Sequence, residues 1–143
     1  MKRVVVIGGS GFIGSHTADE LSKQGYNVTI FDTRLSPWLR PDQNMVEGDI
    51  LDVDALNCAL KDTDIVYHFA GISDINEASD RPLDAINLNI MGTASVLDVV
   101  SKLNVGRFVY ASTMYVYSPY GSFYRATKQS AETLIEAYCE KYG

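Results

Sequence analysis

The chain has 143 residues, of which 46% are hydrophobic and 21% are charged, a composition typical of one folded domain with a substantial core. This composition excludes a disordered chain and a small disulfide-stabilised domain. A formal net charge of -6 repels phosphate backbones and anionic lipids, so we expect neither a nucleic acid nor a membrane partner. Cys58 and Cys139 stand apart, with no CxxC motif and no histidine cluster, which favours a reduced, cytoplasmic protein without a metal site.

Short β-branched runs alternate with helical patterns along the chain. The strand runs are apolar throughout, as is typical of strands buried on both faces of a parallel sheet. This alternation predicts an α/β fold of the Rossmann type, with a doubly wound parallel sheet of about five strands in one domain over residues 1–143. The predicted elements are, in chain order, strand 4–7, helix 12–24, strand 28–31, strand 45–47, helix 52–60, strand 65–69, helix 82–103, strand 107–110 and helix 123–142.

A glycine-rich loop, with the sequence GGSGFIG, joins the first predicted strand to the first predicted helix. Gly8 permits a tight turn, Gly11 leaves room for a pyrophosphate, and Gly14 allows the helix to pack closely on the sheet. The free amides of the helix N-terminus favour an anion. The loop therefore indicates dinucleotide binding, and a glycine-rich turn without a ligand is the alternative.

Two aspartates follow the next strands. Asp32 ends the second strand, where a carboxylate binds the diol of an adenosine ribose and repels a 2′-phosphate, so NAD is favoured over NADP. Arg34 is near enough to weaken this preference. Asp49 ends the third strand and is a candidate for contact with adenine. Either aspartate is also explained as an ordinary turn residue.

A tyrosine and a lysine stand four residues apart on the last predicted helix. Tyr124 and Lys128 therefore share one helical face. A phenol holds its proton near neutral pH, and a neighbouring ammonium favours the phenolate, so the pair is a candidate acid/base. Ser112 and Thr113 follow the preceding strand, where a hydroxyl faces the ligand crevice. The alternatives are an exposed helix pair and a simple turn of serine and threonine.

Taken together, these motifs resemble the short-chain dehydrogenase/reductase superfamily, and more closely its extended branch of NAD-dependent sugar epimerases and dehydratases. The resemblance spans nearly the whole chain in the family's order. It is carried by seven segments: residues 8–14, Asp32, residues 48–50, 68–71, 89–93, 111–117 and 124–128.

The resemblance implies roles for individual residues. Thr113 would be the hydroxyl partner of the substrate, Tyr124 the acid/base and Lys128 the residue that assists it. His16 and His68 would be structural, not metal ligands. Asn89 would brace the site from the long helix. The cofactor-binding set that the resemblance implies is Gly8, Gly11, Phe12, Ile13, Gly14, Asp32, Asp49, Ile50, Ala70, Gly71, Asn89, Tyr124 and Lys128.

The chain departs from the family pattern in three places. Ten residues separate Thr113 from Tyr124, a short insert for this family. Met114 and Tyr115 stand where its dehydratases carry an Asp-Glu pair, so dehydration is disfavoured. The sequence also stops where the family continues into a substrate domain, so it is either a fragment or a protein that lost this domain. We expect the 143-residue chain alone to hold NAD and to turn over sugar nucleotides poorly or not at all.

The sequence thus leads to a functional expectation with two alternatives. We expect an NAD-dependent nucleotide-sugar epimerase similar to UDP-glucose 4-epimerase, acting by hydride transfer through a keto-sugar. It would bind a nucleotide-sugar substrate and form a homodimer through helices 82–103 and 123–142. The alternatives are another NAD-dependent dehydrogenase or reductase of the family, and a non-catalytic NAD-binding module.

Overall fold

The computed structural model describes all 143 residues, Met1 to Gly143. Five parallel strands form one sheet in the order β3-β2-β1-β4-β5, which confirms the predicted doubly wound α/β fold. β3 begins two residues before the predicted strand because Gln43 pairs with Val28 in the ladder. The strands are β1 (Arg3–Ile7), β2 (Asn27–Asp32), β3 (Gln43–Glu47), β4 (Ile65–His68) and β5 (Arg107–Tyr110).

The helices cover both faces of the sheet. The alternate side chains Val4 and Val6 of β1 pack on one face in a cluster that includes Leu21 of α1. Val5 and Ile7 pack on the other face in a larger cluster with residues of α2 and α5. The helical elements are α1 (Phe12–Lys23), α2 (Val53–Leu60), α3 (Ile75–Asp80), α4 (Pro82–Ala85), a π-helical turn (Ile86–Gly92), α5 (Thr93–Lys102), a 3₁₀ turn (Met114–Tyr117) and α6 (Ser122–Tyr142).

The predicted helix 82–103 exists, but it is not a uniform α-helix. Its middle is the π-helical turn, a wider coil that is frequent at functional sites. By length and composition alone the run Pro82–Lys102 is apolar enough to cross a membrane. In the folded chain, 44% of the most apolar stretch of this run is buried inside the domain. Val96 and Val99 are fully buried in the larger cluster, so this run is a core helix of the domain.

The short helix α3 has no counterpart among the predicted elements. Asp74 caps it, because its carboxylate accepts a hydrogen bond of 2.8 Å from the backbone N–H of Glu77. Asp52, the first residue of the predicted helix 52–60, caps α2 in the same way, because its carboxylate accepts from the N–H groups of Asp54 and Ala55 at 3.0 Å. The pair Asp74 and Glu77 has the spacing of a capping box and would have identified α3.

Candidate functional site

A cavity of about 680 Å³ lies at the carboxyl ends of the strands. Its wall includes residues that end or follow all five strands: Gly8, Asp32, Gly48, Ala70 and Ala111. Ligands of open α/β sheets bind in this crevice, where the strand order reverses between β1 and β4. Of the residues singled out from the sequence, the cavity brings together Gly8, Gly11, Phe12, Ile13, Gly14, Asp32, Asp49, Ile50, Ala70, Gly71, Ser112, Tyr124 and Lys128.

The glycine loop is packed too tightly for side chains at three positions, Gly8, Gly9 and Gly14, where an added Cβ would lie closer than 3.0 Å to backbone atoms. Gly8 has a φ of +79°, and a Cβ there would lie 2.5 Å from the backbone nitrogen of Ala70. A Cβ on Gly14 would overlap the carbonyl oxygen of Gly8 and approach Cα of Gly9 to 2.7 Å. These contacts hold the loop against the end of β4 and bring α1 close to the sheet.

The N-terminus of α1 presents unused hydrogen-bond donors to the cavity. Gly11 caps the helix without a side-chain acceptor. The first bond of the helical ladder runs from the N–H of Ser15 to the carbonyl of Gly11 at 2.9 Å. The amides of the three residues between them, Phe12, Ile13 and Gly14, are therefore available to an anion in the cavity.

Asp32 joins the end of β2 to the glycine loop. One carboxylate oxygen accepts from the N–H of Ser10 at 3.1 Å, and the other accepts from the N–H of Arg34 at 3.2 Å. The hydroxyl of Ser10 in turn donates to the carbonyl of Arg34 at 2.7 Å. Asp32 therefore fixes the loop as well as facing the cavity, and Arg34 also lines the cavity wall.

Asp49 and Ile50 follow β3 at the same end of the cavity. The carboxylate of Asp49 accepts from the N–H of Leu51 at 2.9 Å, so it stabilises its own turn. Ile50 is buried against Gly92 of the π-helical turn, whose missing side chain leaves the room for it. Both residues remain candidates for the adenine end of a bound dinucleotide.

Lys128 projects from α6 and forms part of the cavity wall. Its Nζ donates a hydrogen bond of 2.5 Å to the carbonyl of Ala111 and lies 4.2 Å from the ring centroid of Tyr110. Burial lowers the pKa of Lys128 to about 8, and the carboxylate of Glu132 acts in the opposite direction. Tyr124, one turn earlier, lines the cavity and packs edge-to-face against Tyr115 at 6.3 Å.

The two hydroxyls after β5 have different environments. Ser112 lines the cavity, and its hydroxyl donates to the carboxylate of Glu132. Thr113 lies outside the cavity lining, and its hydroxyl accepts from the N–H of Tyr115 at 3.3 Å, capping the 3₁₀ turn. The structure thus places Thr113 beside the cavity with its oxygen engaged by the backbone.

Asn89 also lies outside the cavity lining, and both the oxygen and the nitrogen of its side-chain amide are hydrogen-bonded within the protein. It accepts from the N–H of Ile72 at 2.8 Å and donates to the carbonyl of Ile72 and the hydroxyl of Thr127, both at 3.0 Å. Ile72 follows β4 and Thr127 precedes Lys128 on α6. Asn89 therefore ties two walls of the cavity together, which supports a bracing role.

The sequence motifs did not identify several of the residues that line the cavity. Ser73 and Glu77 contribute to the wall beyond β4, and Glu77 forms an ion pair of 3.3 Å with Arg81. The capping pair of α3 was the available signal for Glu77. No group of three or more His, Cys, Asp and Glu side chains is arranged to hold a metal ion.

His68 is fully buried behind the cavity, at the end of β4. Its Nε2 is 3.0 Å from the hydroxyl of Thr93, while its Nδ1 has no partner. Burial, with a smaller effect from the charge of Lys128, lowers the pKa of His68 to about 3. The ring is therefore neutral in the folded protein, as expected of a structural histidine.

This burial predicts a loss of stability in acid. The unfolded histidine titrates near its ordinary pKa of about 6.5, whereas the folded ring takes up a proton only near pH 3, so its contribution is lost as the pH falls below 6.5. We expect His68 to account for roughly 2 kcal/mol of the decrease between pH 7 and pH 5. Urea unfolding of His68→Gln at both pH values checks this. His16→Gln, at an exposed position, should keep the full decrease.

The sheet order, the glycine loop and the cavity define a dinucleotide-binding domain of the Rossmann type. The profile of the NAD dependent epimerase/dehydratase family matches residues 4–143. The chain therefore belongs to the NAD-dependent epimerase/dehydratase family, as its motifs indicated.

Individual relatives agree with this assignment. The chain is 31% identical over 126 residues to UDP-glucose 4-epimerase of Yersinia enterocolitica, covering 80% of this chain and 38% of the relative. It superposes on UDP-glucose 4-epimerase from Brucella ovis in complex with NAD with a TM-score of 0.92 at 31% identity, over 100% of this chain and 49% of that one. For UDP-glucuronic acid 4-epimerase from Bacillus cereus in complex with NAD, the TM-score is 0.83 at 28% identity, over 98% and 53% of the chains. The chain thus spans roughly two fifths to half of these relatives.

The residues of the cavity fit NAD, the cofactor of this family. The close packing at Gly8 and Gly14 shapes a cradle that side chains would fill, and the free amides of α1 face it. Asp32 stands at the position suited to a ribose diol. Lys128 places a cation in the wall where the far end of the dinucleotide would lie.

We predict that Asp32 makes the chain prefer NAD(H) over NADP(H). Replacing it with Ala removes a charge-assisted hydrogen bond to the ribose, which costs about 1.5–3 kcal/mol, or about 10- to 150-fold in affinity for NAD. Because Asp32 also holds the N–H of Ser10, Asp32→Asn is the sharper variant: it keeps the size of the side chain and removes the charge. Calorimetry with both dinucleotides measures the preference, and equal or tighter binding of NADP by the unmodified chain would contradict it.

Proposed function

We propose that this chain forms the cofactor-binding part of an NAD-dependent nucleotide-sugar epimerase of the UDP-glucose 4-epimerase type. The observation that carries the proposal is the single cavity in which the glycine loop, Asp32, Tyr124 and Lys128 meet. The assignment to a UDP-sugar is supported by the relatives, several of which are UDP-glucose 4-epimerases.

In this proposal the residues of the chain hold the cofactor and move one proton. NAD, which the glycine loop and Asp32 would hold, would supply the hydride transfer to and from the sugar carbon that is inverted. Tyr124 takes the proton of the sugar hydroxyl and later gives it back. The ammonium of Lys128 stabilises the negative charge that develops on the phenol oxygen. The hydroxyl of Ser112 or Thr113 orients the substrate.

Epimerisation is favoured over dehydration by what surrounds Tyr124. Elimination of water requires a further acid and base, and residues 111–123 contain no carboxylate. Met114, at the position after Thr113, is 88% exposed, and Tyr115 packs on the ring of Tyr124. Epimerisation needs only the tyrosine and the hydride carrier.

Three outcomes of one experiment separate the candidate functions. The chain, with NAD supplied, is incubated at high concentration with UDP-glucose and, separately, with UDP-galactose. Interconversion of the two sugars without net formation of NADH supports the epimerase. Net formation of NADH from either sugar indicates a dehydrogenase instead.

A non-catalytic NAD-binding module, the second candidate, would bind NAD and show neither reaction even at a chain concentration that makes a rate reduced by orders of magnitude measurable. This candidate is favoured by one observation: Thr113 lies outside the cavity lining and its hydroxyl accepts a backbone hydrogen bond.

We also propose that the protein is a cytoplasmic homodimer that pairs through the helices 82–103 and 123–142. Cys58 and Cys139 are free and exposed, which suits a reducing compartment. On α6, Ile135 and Tyr138 are only half-buried, and Tyr138 stacks on Tyr142 at 5.7 Å. Ile135, Tyr138 and Tyr142 thus form an apolar stripe along α6, whereas Ala131, one turn before Ile135, is fully buried within the domain.

The dimer has a direct test. Light scattering at high micromolar concentration should give the mass of two chains. Ile135→Glu, which puts a charge into the apolar stripe, should shift the protein to a monomer. Ala137→Glu is the control, since residue 137 is exposed and lies roughly opposite on the helix. A monomeric unmodified chain would contradict the proposal.

A further inference from the structure

Two side chains of α6 hold the chain where it leaves β5. The Nζ of Lys128 donates to the carbonyl of Ala111, and the carboxylate of Glu132 accepts from the hydroxyl of Ser112. Lys128 and Glu132 are four residues apart, so they share one face of the helix. Their partners, Ala111 and Ser112, are consecutive and both line the cavity. The two contacts therefore attach one face of α6 to two consecutive residues of the cavity wall.

The charge of Lys128 lacks a direct ion pair in this arrangement. No carboxylate oxygen lies within 4.0 Å of its Nζ, whose partners are a carbonyl and the ring of Tyr110. Burial alone would favour the neutral amine, and it lowers the pKa of Lys128 to about 8. The carboxylate of Glu132 opposes this effect, so it favours the charged form.

The other titratable groups around Lys128 do not supply this negative charge. His68 on β4 is neutral because burial lowers its pKa to about 3. Tyr110 on β5 keeps its proton, since burial raises the pKa of its phenol. The remaining ionisable groups that line the same cavity are Asp32, Arg34, Asp49, Glu77 and Tyr124, and none of their charges acts on the pKa of Lys128 as that of Glu132 does.

We propose that Glu132 is a positioning residue of this site: its carboxylate fixes Ser112 in the cavity wall and favours the charged form of the buried Lys128. Because Lys128 is assigned its part by the proposed function, the catalytic meaning of Glu132 rests on that proposal. The charge state of Lys128 is nevertheless a property of the chain alone, and it is measurable without cofactor or substrate.

The test is acetylation of Lys128 by acetic anhydride as a function of pH, followed by mass spectrometry of the peptides. Only the neutral amine reacts, so the rate reports the fraction of uncharged Lys128. The exposed Lys61 serves as the internal reference. In Glu132→Gln the midpoint should fall by about half a pH unit, which raises the relative rate at pH 7 about two- to threefold. Glu136→Gln, one turn further along α6 and exposed, should match the unmodified chain.

Two further variants separate charge from packing. Ser112→Ala removes the hydroxyl and keeps the carboxylate, so Lys128 should react within about twofold of its original rate. If Ser112→Ala accelerates the reaction as much as Glu132→Gln does, loosened packing explains the effect and the proposal is overturned. An unchanged midpoint in Glu132→Gln also overturns it. Should Glu132→Gln fail to fold by circular dichroism, Glu132→Asp decides: slow acetylation supports the proposal, and a threefold acceleration contradicts it.

None of these outcomes depends on the proposed epimerase activity. If NAD does not bind to the chain while Glu132→Gln still accelerates acetylation, the proposed function fails and the role of Glu132 stands. If the sugars interconvert while Glu132→Gln leaves the acetylation of Lys128 unchanged, the proposed function stands and the role of Glu132 fails.

Discussion

Tyr124→Phe should lower the rate of interconversion of UDP-glucose and UDP-galactose about a hundredfold or more. Phenylalanine retains the ring that packs against Tyr115 and removes only the hydroxyl, so the variant loses the proton acceptor and donor while the fold persists. Positioned acid/base groups contribute about 10²- to 10⁴-fold to a rate. Affinity for NAD should stay within about twofold. Tyr117→Phe is the matched control, because Tyr117 is 92% exposed and should leave the rate unchanged.

The rate of the unmodified chain should itself be low. The chain spans 49% of the epimerase from Brucella ovis, and the segment between Thr113 and Tyr124 is too short to cover a sugar. Poor positioning of the substrate costs several kcal/mol of barrier, or orders of magnitude in rate. If the 143-residue chain shows a turnover typical of the family that Tyr124→Phe abolishes, the further domain of the family is dispensable and this expectation is wrong.

Gly14→Ala should reduce the affinity for NAD about a hundredfold and destabilise the domain by about 1–3 kcal/mol. The added Cβ would overlap the carbonyl oxygen of Gly8, which is backbone and cannot rotate away. Relief requires that α1 move from the sheet, which displaces the amides of Phe12 and Ile13 from the cavity. Calorimetry with NAD and urea unfolding measure the two effects.

The control for Gly14 is Gly106→Ala. A Cβ at that position would make an ordinary contact of 3.4 Å with the carbonyl oxygen of Asp64. Both NAD affinity and stability should therefore change little. Binding of NAD by Gly14→Ala with the original affinity would show that the close approach of α1 does not shape the pyrophosphate site.

Much of the fold and half of the cavity wall could be predicted because their signals are local. Buried parallel strands are apolar throughout, so β1 and β2 are visible as runs, and Asp52 marks the start of α2. The glycine loop combines a strand, a turn and a helix start in one short segment.

The remainder depends on contacts between distant segments. Asn89 lies in the π-helical turn, and its side-chain amide bonds to Ile72 and Thr127. These partners are distant in the sequence, so no local residue pattern predicts them. Of the two adjacent hydroxyls, that of Ser112 bonds to Glu132, twenty residues further along the chain, and that of Thr113 bonds to the backbone of Tyr115. The sequence identified Ser112 and Thr113 as a pair, and the family resemblance favoured Thr113, whereas Ser112 is the one that lines the cavity.

The wall of the cavity is assembled from the ends of all five strands, from Gly8 to Ser112. No contiguous piece of the chain therefore carries a usable part of the site, and a chain that has lost its sheet has lost its cofactor affinity as well. A ligand that binds only the assembled sheet stabilises every strand at once, by about 2.7 kcal/mol at a hundred times its Kd. For this domain, a bound cofactor would stabilise the whole sheet because it contacts the ends of all five strands. The cellular concentration of the cofactor then becomes one of the determinants of how much of the chain is folded.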